Sequence, residues 1–343
     1  MSTDRAKILR TDANLETPRI DEALCERGEL VLLPDGVSEE VVIDAISDAD
    51  LLLTCYTPIT ARVIERAKRL KGIVKYGVGI DSIDIEAAKA RAIPVVNVPD
   101  YAAETVAEGA FALMIALAKK LRPLQKAMDA EGWVWPSEQW LGSDISGKTL
   151  GLVGFGQIGR SMARMAGLGF NARVLAYSPH TSAEAMRLAG VEKRDDLHGM
   201  LGESNFVSVH AVLNPETRHL IDKAALAAMK PGAILINTAR GAIVDEKALV
   251  QALQAGRIGG AGLDVFSQEP LATSGHMLSP LFEMDNVILT PHLTFYTQEA
   301  MQRLEDESLE RSVEILEGRP VLIKSSDPRL TAQTKGVVFP KSD

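Results

Sequence analysis

The sequence predicts an α/β protein with two doubly wound parallel sheets and a cleft between the domains that carry them. Three observations lead there. Short apolar runs alternate with amphipathic segments along most of the 343 residues, a glycine-rich turn links one such run to a helix, and polar residues recur just past the ends of successive runs. The length also exceeds the roughly 150 residues of a usual single domain.

Ile8–Leu9, Leu30–Leu33, Leu51–Leu53, Ile73–Lys75 and Pro94–Val96 read as the strands of a first series, with helices in the gaps. Ser38 before Glu39-Glu40 and Thr60 before Ala61 have side chains suited to capping, which places the second and third helices. Glu104 to Leu121 is one long segment, apolar on all sides with Gly109 its only breaker, and is expected to be a helix buried between domains or subunits. After a stretch containing Trp133, Trp135 and Trp140, a second series opens with Thr149–Val153, Ala172–Tyr177, Phe206–Val209, Ala233–Ile236, Gly260–Leu263 and Val287–Leu289. Thr297 to Glu317 carries Met301, Leu304, Leu309, Val313 and Leu316 at helical spacing and reads as a helix returning to the first domain. Residues 1–101 with 295–343 should therefore form one domain, and 102–294 the other.

Composition removes several classes of function. A hydrophobic share of 46% with 24% charged residues excludes disordered and fibrous proteins. Lys and Arg number 37 against 46 Asp and Glu, a net charge of −9 with both signs interspersed, so no electrostatic footprint for nucleic acid is expected. Met1 to Arg10 has no apolar core of a signal peptide, and the longest apolar stretch, Gly109 to Ala118, is too short to span a bilayer. The expected location is the cytoplasm, without a membrane partner. Cys25 and Cys55 lack metal-type spacing and sit beside apolar residues, so they read as core thiols, and no metal site is expected.

Gly154-Phe155-Gly156-Gln157-Ile158-Gly159 is a G-x-G-x-x-G turn that directly follows the strand Leu150–Val153 and opens an amphipathic helix. In that context Gly154 permits the tight turn, Gly156 lets a pyrophosphate approach backbone N–H groups, and Gly159 allows close packing of helix on sheet. Such Rossmann-like sheets commonly place an acid about twenty residues on, to bind the adenosine ribose hydroxyls. Ser178-Pro179 stands there instead, either a plain turn or a ribose or phosphate contact, and the choice between NAD and NADP stays open.

Ser178, His210, Thr238 to Arg240, Asp264 and His292 all fall just past strand ends, which in a parallel sheet share one edge where ligands bind. Within that set Arg240 offers a bidentate fork for a carboxylate. His292 follows Thr290-Pro291, and Glu269 follows the preceding strand. A carboxylate beside an imidazole favours its protonated form, a general acid for carbonyl reduction. Together Arg, Glu and His supply what reduction of a 2-keto acid requires.

These residues resemble those of the D-isomer-specific 2-hydroxyacid dehydrogenases, over nearly the whole chain. The likeness rests on Tyr76-Gly77-Val78-Gly79-Ile80-Asp81-Ser82-Ile83-Asp84, Asn97-Val98-Pro99, Val106-Ala107-Glu108, Gly154 to Gly159, His210 with Leu213-Asn214-Pro215-Glu216-Thr217, Asn237 to Gly241, Leu263-Asp264-Val265-Phe266 with Glu269-Pro270, and Thr290-Pro291-His292. The resemblance implies that Arg240 binds the substrate carboxylate, His292 is the acid/base and Glu269 tunes it. It implies substrate contacts at Val78, Gly79, Tyr101, Arg240, His292 and Tyr296, the first two through backbone amides. It places Thr105, Gly154, Gly156, Gln157, Ile158, Gly159, Ser178, Pro179, His210, Val212, Thr217, Thr238, Ala239, Arg240, Asp264 and His292 around the cofactor, with Asp264 near the nicotinamide carboxamide. It further implies a homodimer through the nucleotide domain, with the helix from Glu104 in the interface.

Three positions depart from the family pattern: Ser178 for the usual acid, Val212 where Pro often stands, and Gly109 after Glu108 where His is common. Glu269, where formate dehydrogenases carry Gln, argues against formate, and the chain's end soon after the return helix argues against an appended regulatory domain. Glyoxylate or hydroxypyruvate is the favoured substrate. Leu293-Thr294-Phe295-Tyr296 resembles a bulky subset of the family, and Phe295 serves either the substrate pocket or the core. The alternatives are a dinucleotide-sensing, corepressor-like regulator and a phosphite-type dehydrogenase.

Overall fold

A computed structural model describes residues 5–340, in two compact units, one ending at Ala102 and resumed at Thr297, the other Ala103–Tyr296. In the first unit β1 (Ala6–Arg10), β2 (Gly28–Leu32), β3 (Leu51–Thr54), β4 (Gly72–Lys75) and β5 (Val95–Asn97) form a parallel sheet in the order β2-β1-β3-β4-β5. β3 and β4 are buried along their whole length, as their unbroken apolar runs require. The helix Gln298–Leu316, capped by Thr297, returns onto this sheet, where Ile315 occupies the space that a side chain on Gly72 would need. Thr60 caps its helix through the N–H of Val63, whereas Ser38 sits at its N-cap without a side-chain bond.

The strand order of this sheet reverses between β1 and β3, the place where such sheets commonly bind an anionic ligand. Here the chain fills it with its own carboxylate. Asp12, at φ 60°, accepts the N–H groups of Cys55, Tyr56 and Thr57 at 2.8, 3.0 and 3.0 Å, and the hydroxyls of Thr11 and Thr57 at 2.6 and 2.7 Å.

The second unit carries β6 (Thr149–Val153), β7 (Arg173–Tyr177), β8 (Glu192–Lys193), β9 (Phe206–Val209), β10 (Ile234–Asn237), β11 (Gly260–Leu263) and β12 (Val287–Leu289). They form one parallel sheet in the order β12-β11-β10-β9-β6-β7-β8, doubly wound about β6. Its seven strands correct the six expected: β8 has two residues, both charged or half-exposed at the edge, and no apolar run to announce it. The long helix is also shorter than expected, Ala103–Ala118 rather than Glu104–Leu121. Lys119-Lys120 cannot follow the apolar face into the core; Lys120 turns left-handed at φ 52°, and a second helix, Leu121–Glu131, starts anew. The buried face of the first helix, including Ala107, Ala110 and Met114, packs in a core with Leu150, Leu152 and Ile236 of its own unit's sheet.

One further reading changes. Cys25 is exposed on its helix, and only Cys55 is a core thiol. Beyond the return helix, β13 (Val321–Leu322) pairs in parallel with β14 (Val337–Val338) around a short helix, Pro328–Thr331. Among the described residues no helix is long and apolar enough to cross a membrane.

Candidate active site

The carboxyl edge of the seven-stranded sheet gathers the predicted residues. Ser178 follows β7, His210 follows β9, Thr238 to Arg240 follow β10, Asp264 follows β11 and His292 lies just beyond β12. The turn out of β6 depends on Gly154, at φ 97°, where a Cβ would meet the backbone of His210 and Ala211 at 2.7 Å. On Gly159 it would come within 2.6 Å of the Gly154 carbonyl oxygen, while at Gly156, the N-cap of helix Gln157–Arg164, it would point into open space. The first amides of a helix have no partner within it, so this turn presents N–H groups and a positive dipole end where a pyrophosphate can approach. Glu104 ties the helix down, accepting from Ser161 Oγ at 2.8 Å and pairing with Arg164 at 2.6 Å.

Two buried polar atoms on the same edge, Thr238 Oγ1 and His210 Nδ1, have no partner among the described residues. Burial pushes the His210 imidazolium down to about 4, so the ring is neutral near pH 7, with Nε2 held by Ser208 Oγ at 2.9 Å. Orphaned buried polar atoms are costly unless a ligand satisfies them. With the glycine turn, they fit a bound dinucleotide. Ser178 Oγ lies 3.0 Å from Thr181 Oγ1, beside exposed Pro179. Val212 is exposed, in a loop that Thr217 closes by donating to the Val212 carbonyl at 2.6 Å. Thr105 is buried near the start of its helix, half-buried Ile158 follows Gln157 into the next, and Ala239 N–H donates to Asn237 Oδ1 at 3.1 Å.

Arg240 reaches this edge because Gly241 follows it. A Cβ on Gly241 would lie 2.0 Å from the Phe266 carbonyl carbon, so only glycine lets the chain leaving β10 cross the backbone that leads to Glu269. Glu269 accepts the Phe266 N–H through Oε1 and holds His292 Nδ1 through Oε2, both at 2.8 Å. Burial pushes the Glu269 carboxyl up, but the hydrogen bond and charge of His292, the Phe266 amide and the charge of Arg240 together outweigh it and leave it below its ordinary value. Arg, Glu and His therefore belong to one electrostatic cluster.

His292 itself sits at φ 56°, a left-handed position that a non-glycine residue holds only when its surroundings fix it. The surroundings are explicit. Fully buried Asp264 accepts from Thr290 Oγ1 at 2.5 Å, Leu293 N–H at 3.0 Å, Thr294 N–H at 3.1 Å and Thr294 Oγ1 at 2.7 Å, gripping the loop on both sides of the histidine. Phe295, buried, sets its ring edge-on to the imidazole with centroids 6.4 Å apart, and exposed Tyr296 packs edge-on against Phe295. Gly109 has a reason too: a Cβ there would lie 2.7 Å from Thr294 Cβ, so no larger side chain fits beside this loop. The loop-bracing role of Asp264 and the buttress at Phe295 have no signal in spacing or periodicity, because both are contacts across elements.

Val78, Gly79 and Tyr101 lie in the first unit. The N–H groups of Val78 and Gly79 form no hydrogen bond among the described residues, and Val78 is 45% exposed. Tyr101 is buried, its carbonyl accepting from Arg303 Nε at 2.7 Å.

Residues 111–294 match the family described as D-isomer specific 2-hydroxyacid dehydrogenase, NAD binding domain. A glyoxylate reductase of Pyrococcus furiosus is 41% identical over 80% of this chain and 82% of its own length. A D-3-phosphoglycerate dehydrogenase of Methanocaldococcus jannaschii is 38% identical over 91% of this chain, which spans only 58% of that protein. The crystal structure of a D-lactate dehydrogenase from Aquifex aeolicus, complexed with NAD and lactic acid, superposes with a TM-score of 0.81 at 32% identity, covering 91% of this chain and 96% of the other. On the family match, the identities and the shared fold, the chain belongs to the D-isomer specific 2-hydroxyacid dehydrogenases.

Proposed function

We propose that the protein is an NAD(P)H-dependent reductase of small 2-keto acids, glyoxylate and hydroxypyruvate first among them, working in reverse as a D-2-hydroxyacid dehydrogenase. The observation that carries the reading is the fixed cluster of Arg240, Glu269 and His292 on the same sheet edge as the Gly154–Gly159 turn. That turn, with Thr238, His210 and Ser178, would hold a dinucleotide, which when bound would supply the hydride. Arg240 binds the substrate carboxylate through its planar fork, with Tyr296 as a further contact, and the Val78 and Gly79 amides and Tyr101 are likewise proposed as substrate contacts. With Nδ1 committed to Glu269, His292 presents Nε2, from which the proton passes to the carbonyl oxygen as it gains negative charge. The Glu269 carboxylate holds Nδ1 and so fixes the orientation of the ring for that transfer. Held below its ordinary value, the Glu269 carboxyl is charged at neutral pH.

The protein is further proposed to be a cytoplasmic homodimer. Trp133, Trp135 and Leu141, 64%, 77% and 70% exposed, are large apolar side chains of the kind that association buries. Its unpaired thiols suit a reducing compartment. Steady-state assay of a 2-keto acid panel with NADH and NADPH tests the enzymatic reading. His292→Ala should lower kcat at least about a hundredfold, the scale of positioned acid catalysis. Arg240→Ala should raise KM for the acid as well as lower kcat. Near-parental turnover in both variants would overturn the site.

A further inference from the structure

The loop Gly77-Val78-Gly79 carries two amides with no partner among the described residues, and the structure contains what aims them. In a trans peptide the C=O of one residue and the N–H of the next point in opposite directions within one plane. Whatever grips the Gly77 carbonyl therefore sets the direction of the Val78 N–H, and whatever grips the Val78 carbonyl sets that of the Gly79 N–H. Both carbonyls are gripped from the end of β5. Val98 N–H donates to the Gly77 oxygen at 3.1 Å, and Asn97 Nδ2 donates to the Val78 oxygen at 2.6 Å. Asn97 is 3% exposed and its Oδ1 has no partner among the described residues, so this side chain is buried for the sake of one donor.

β5 is the last strand of its sheet, with one edge paired to β4 and the other open. On the open edge Gln333, 5% exposed, replaces a neighbouring strand. Its Oε1 accepts the Val95 N–H and its Nε2 donates to the Val95 carbonyl, both at 2.8 Å. Gln333 is held in turn by the Leu330 carbonyl at 3.1 Å, in the short helix of the C-terminal segment. The same segment sends Arg329 to within 3.6 Å of Asp81, beyond the loop, an exposed pair that adds little by itself.

We propose that Asn97 and Gln333 are positioning residues for substrate binding: Gln333 fixes the open edge of β5, and Asn97 with Val98 at the end of that strand orients the Val78 and Gly79 amides toward a shared anion. This rests on the reading that those amides bind the substrate carboxylate. The effect of Asn97 travels through one peptide plane, by way of the Val78 carbonyl. The carboxylate is bound in the ground state as well as during reaction, so the consequence falls first on KM for the acid.

Asn97→Leu keeps the buried volume and removes the donor. In the full chain it should raise KM for glyoxylate tenfold or more while KM for the dinucleotide stays within twofold, and the amide resonances of selectively labelled Val78 and Gly79 should shift. Gln333→Leu should move the same resonances and the same KM by less; Gln333→Glu, which keeps the acceptor and loses the donor, serves if the first variant melts early. A parent that reduces glyoxylate, with KM and both resonances unmoved in Asn97→Leu, would overturn the proposal and leave the functional reading intact. Resonances that shift in a protein reducing no 2-keto acid would sink the functional reading and uphold the orienting role of Asn97.

Discussion

Asp264→Asn is the most discriminating single substitution at the catalytic edge. The carboxylate accepts four hydrogen bonds, two from hydroxyls and two from the N–H groups of Leu293 and Thr294. A carboxamide keeps one oxygen and turns an NH2 toward the other donors, so at least one buried backbone N–H loses its acceptor. At about 1–3 kcal/mol for each buried group left unsatisfied, the loop loses roughly 2–4 kcal/mol of support. That is comparable to the 1–3 kcal/mol cost of a residue held left-handed, so His292 at φ 56° should relax and swing away from Glu269. The expected result is a kcat reduced by about a hundredfold or more, the contribution of a positioned acid, with the dissociation constant for NADH changed by less than threefold. Rapid-quench or steady-state rates, NADH fluorescence titration and a melting curve measure the three quantities. A variant with parental kcat but weakened NADH binding would refute the bracing argument and return Asp264 to a direct nicotinamide contact.

Three further outcomes are expected. His210 is neutral in the fold, its imidazolium pushed down to about 4 by burial, whereas in the unfolded chain it takes up a proton near 6.5. Its contribution is complete above that upper value and is lost as pH falls toward 4, by up to about 3 kcal/mol at roughly 1.4 kcal/mol per pH unit. Urea unfolding at pH 7 and 4.5 should therefore show a smaller acid loss in His210→Asn than in the parent; equal losses would contradict the buried neutral ring. Ser178→Asp, placed where Ser178 now bonds Thr181, should move kcat/KM toward NADH over NADPH by tenfold or more, about 1.4 kcal/mol, and an unmoved ratio would deny Ser178 any part in cofactor choice. Gly241→Ala must push the Phe266 backbone aside and should cost about 1–3 kcal/mol of stability and most of the activity; a melting temperature within a degree of the parent would show that the crossing is not tight.

Much of this architecture was legible in the chain because its signals are local. Unbroken apolar runs mark strands buried on both faces, and the G-x-G-x-x-G spacing names a turn whose three glycines meet three separate steric demands. Strand ends can be counted, and since every strand of a parallel sheet runs the same way, the count alone puts Ser178, His210, Arg240, Asp264 and His292 on one edge. β8 escaped because two edge residues carry no period. The helix from Ala103 was read too long because apolar pattern says where a helix can be buried, while its end is set by the lysines that cannot be.

Residue identity thus determined the sheet, the glycine turn and the choice of His292, Glu269 and Arg240 as the proposed acid, its carboxylate partner and the guanidinium. What the tertiary structure alone decided is how those groups are held. Asp264 gripping the loop around His292, Gly241 passing beneath Phe266, Phe295 edge-on to the imidazole, and Gln333 standing in for a strand beside Val95 all join residues far apart in sequence or separated by a turn. Such contacts have no periodicity, because a hydrogen bond or a steric crossing constrains one pair of positions once, whereas helices and strands repeat their demand every few residues. The chemistry is therefore written in residue types, and the aim of that chemistry in contacts that exist only after folding.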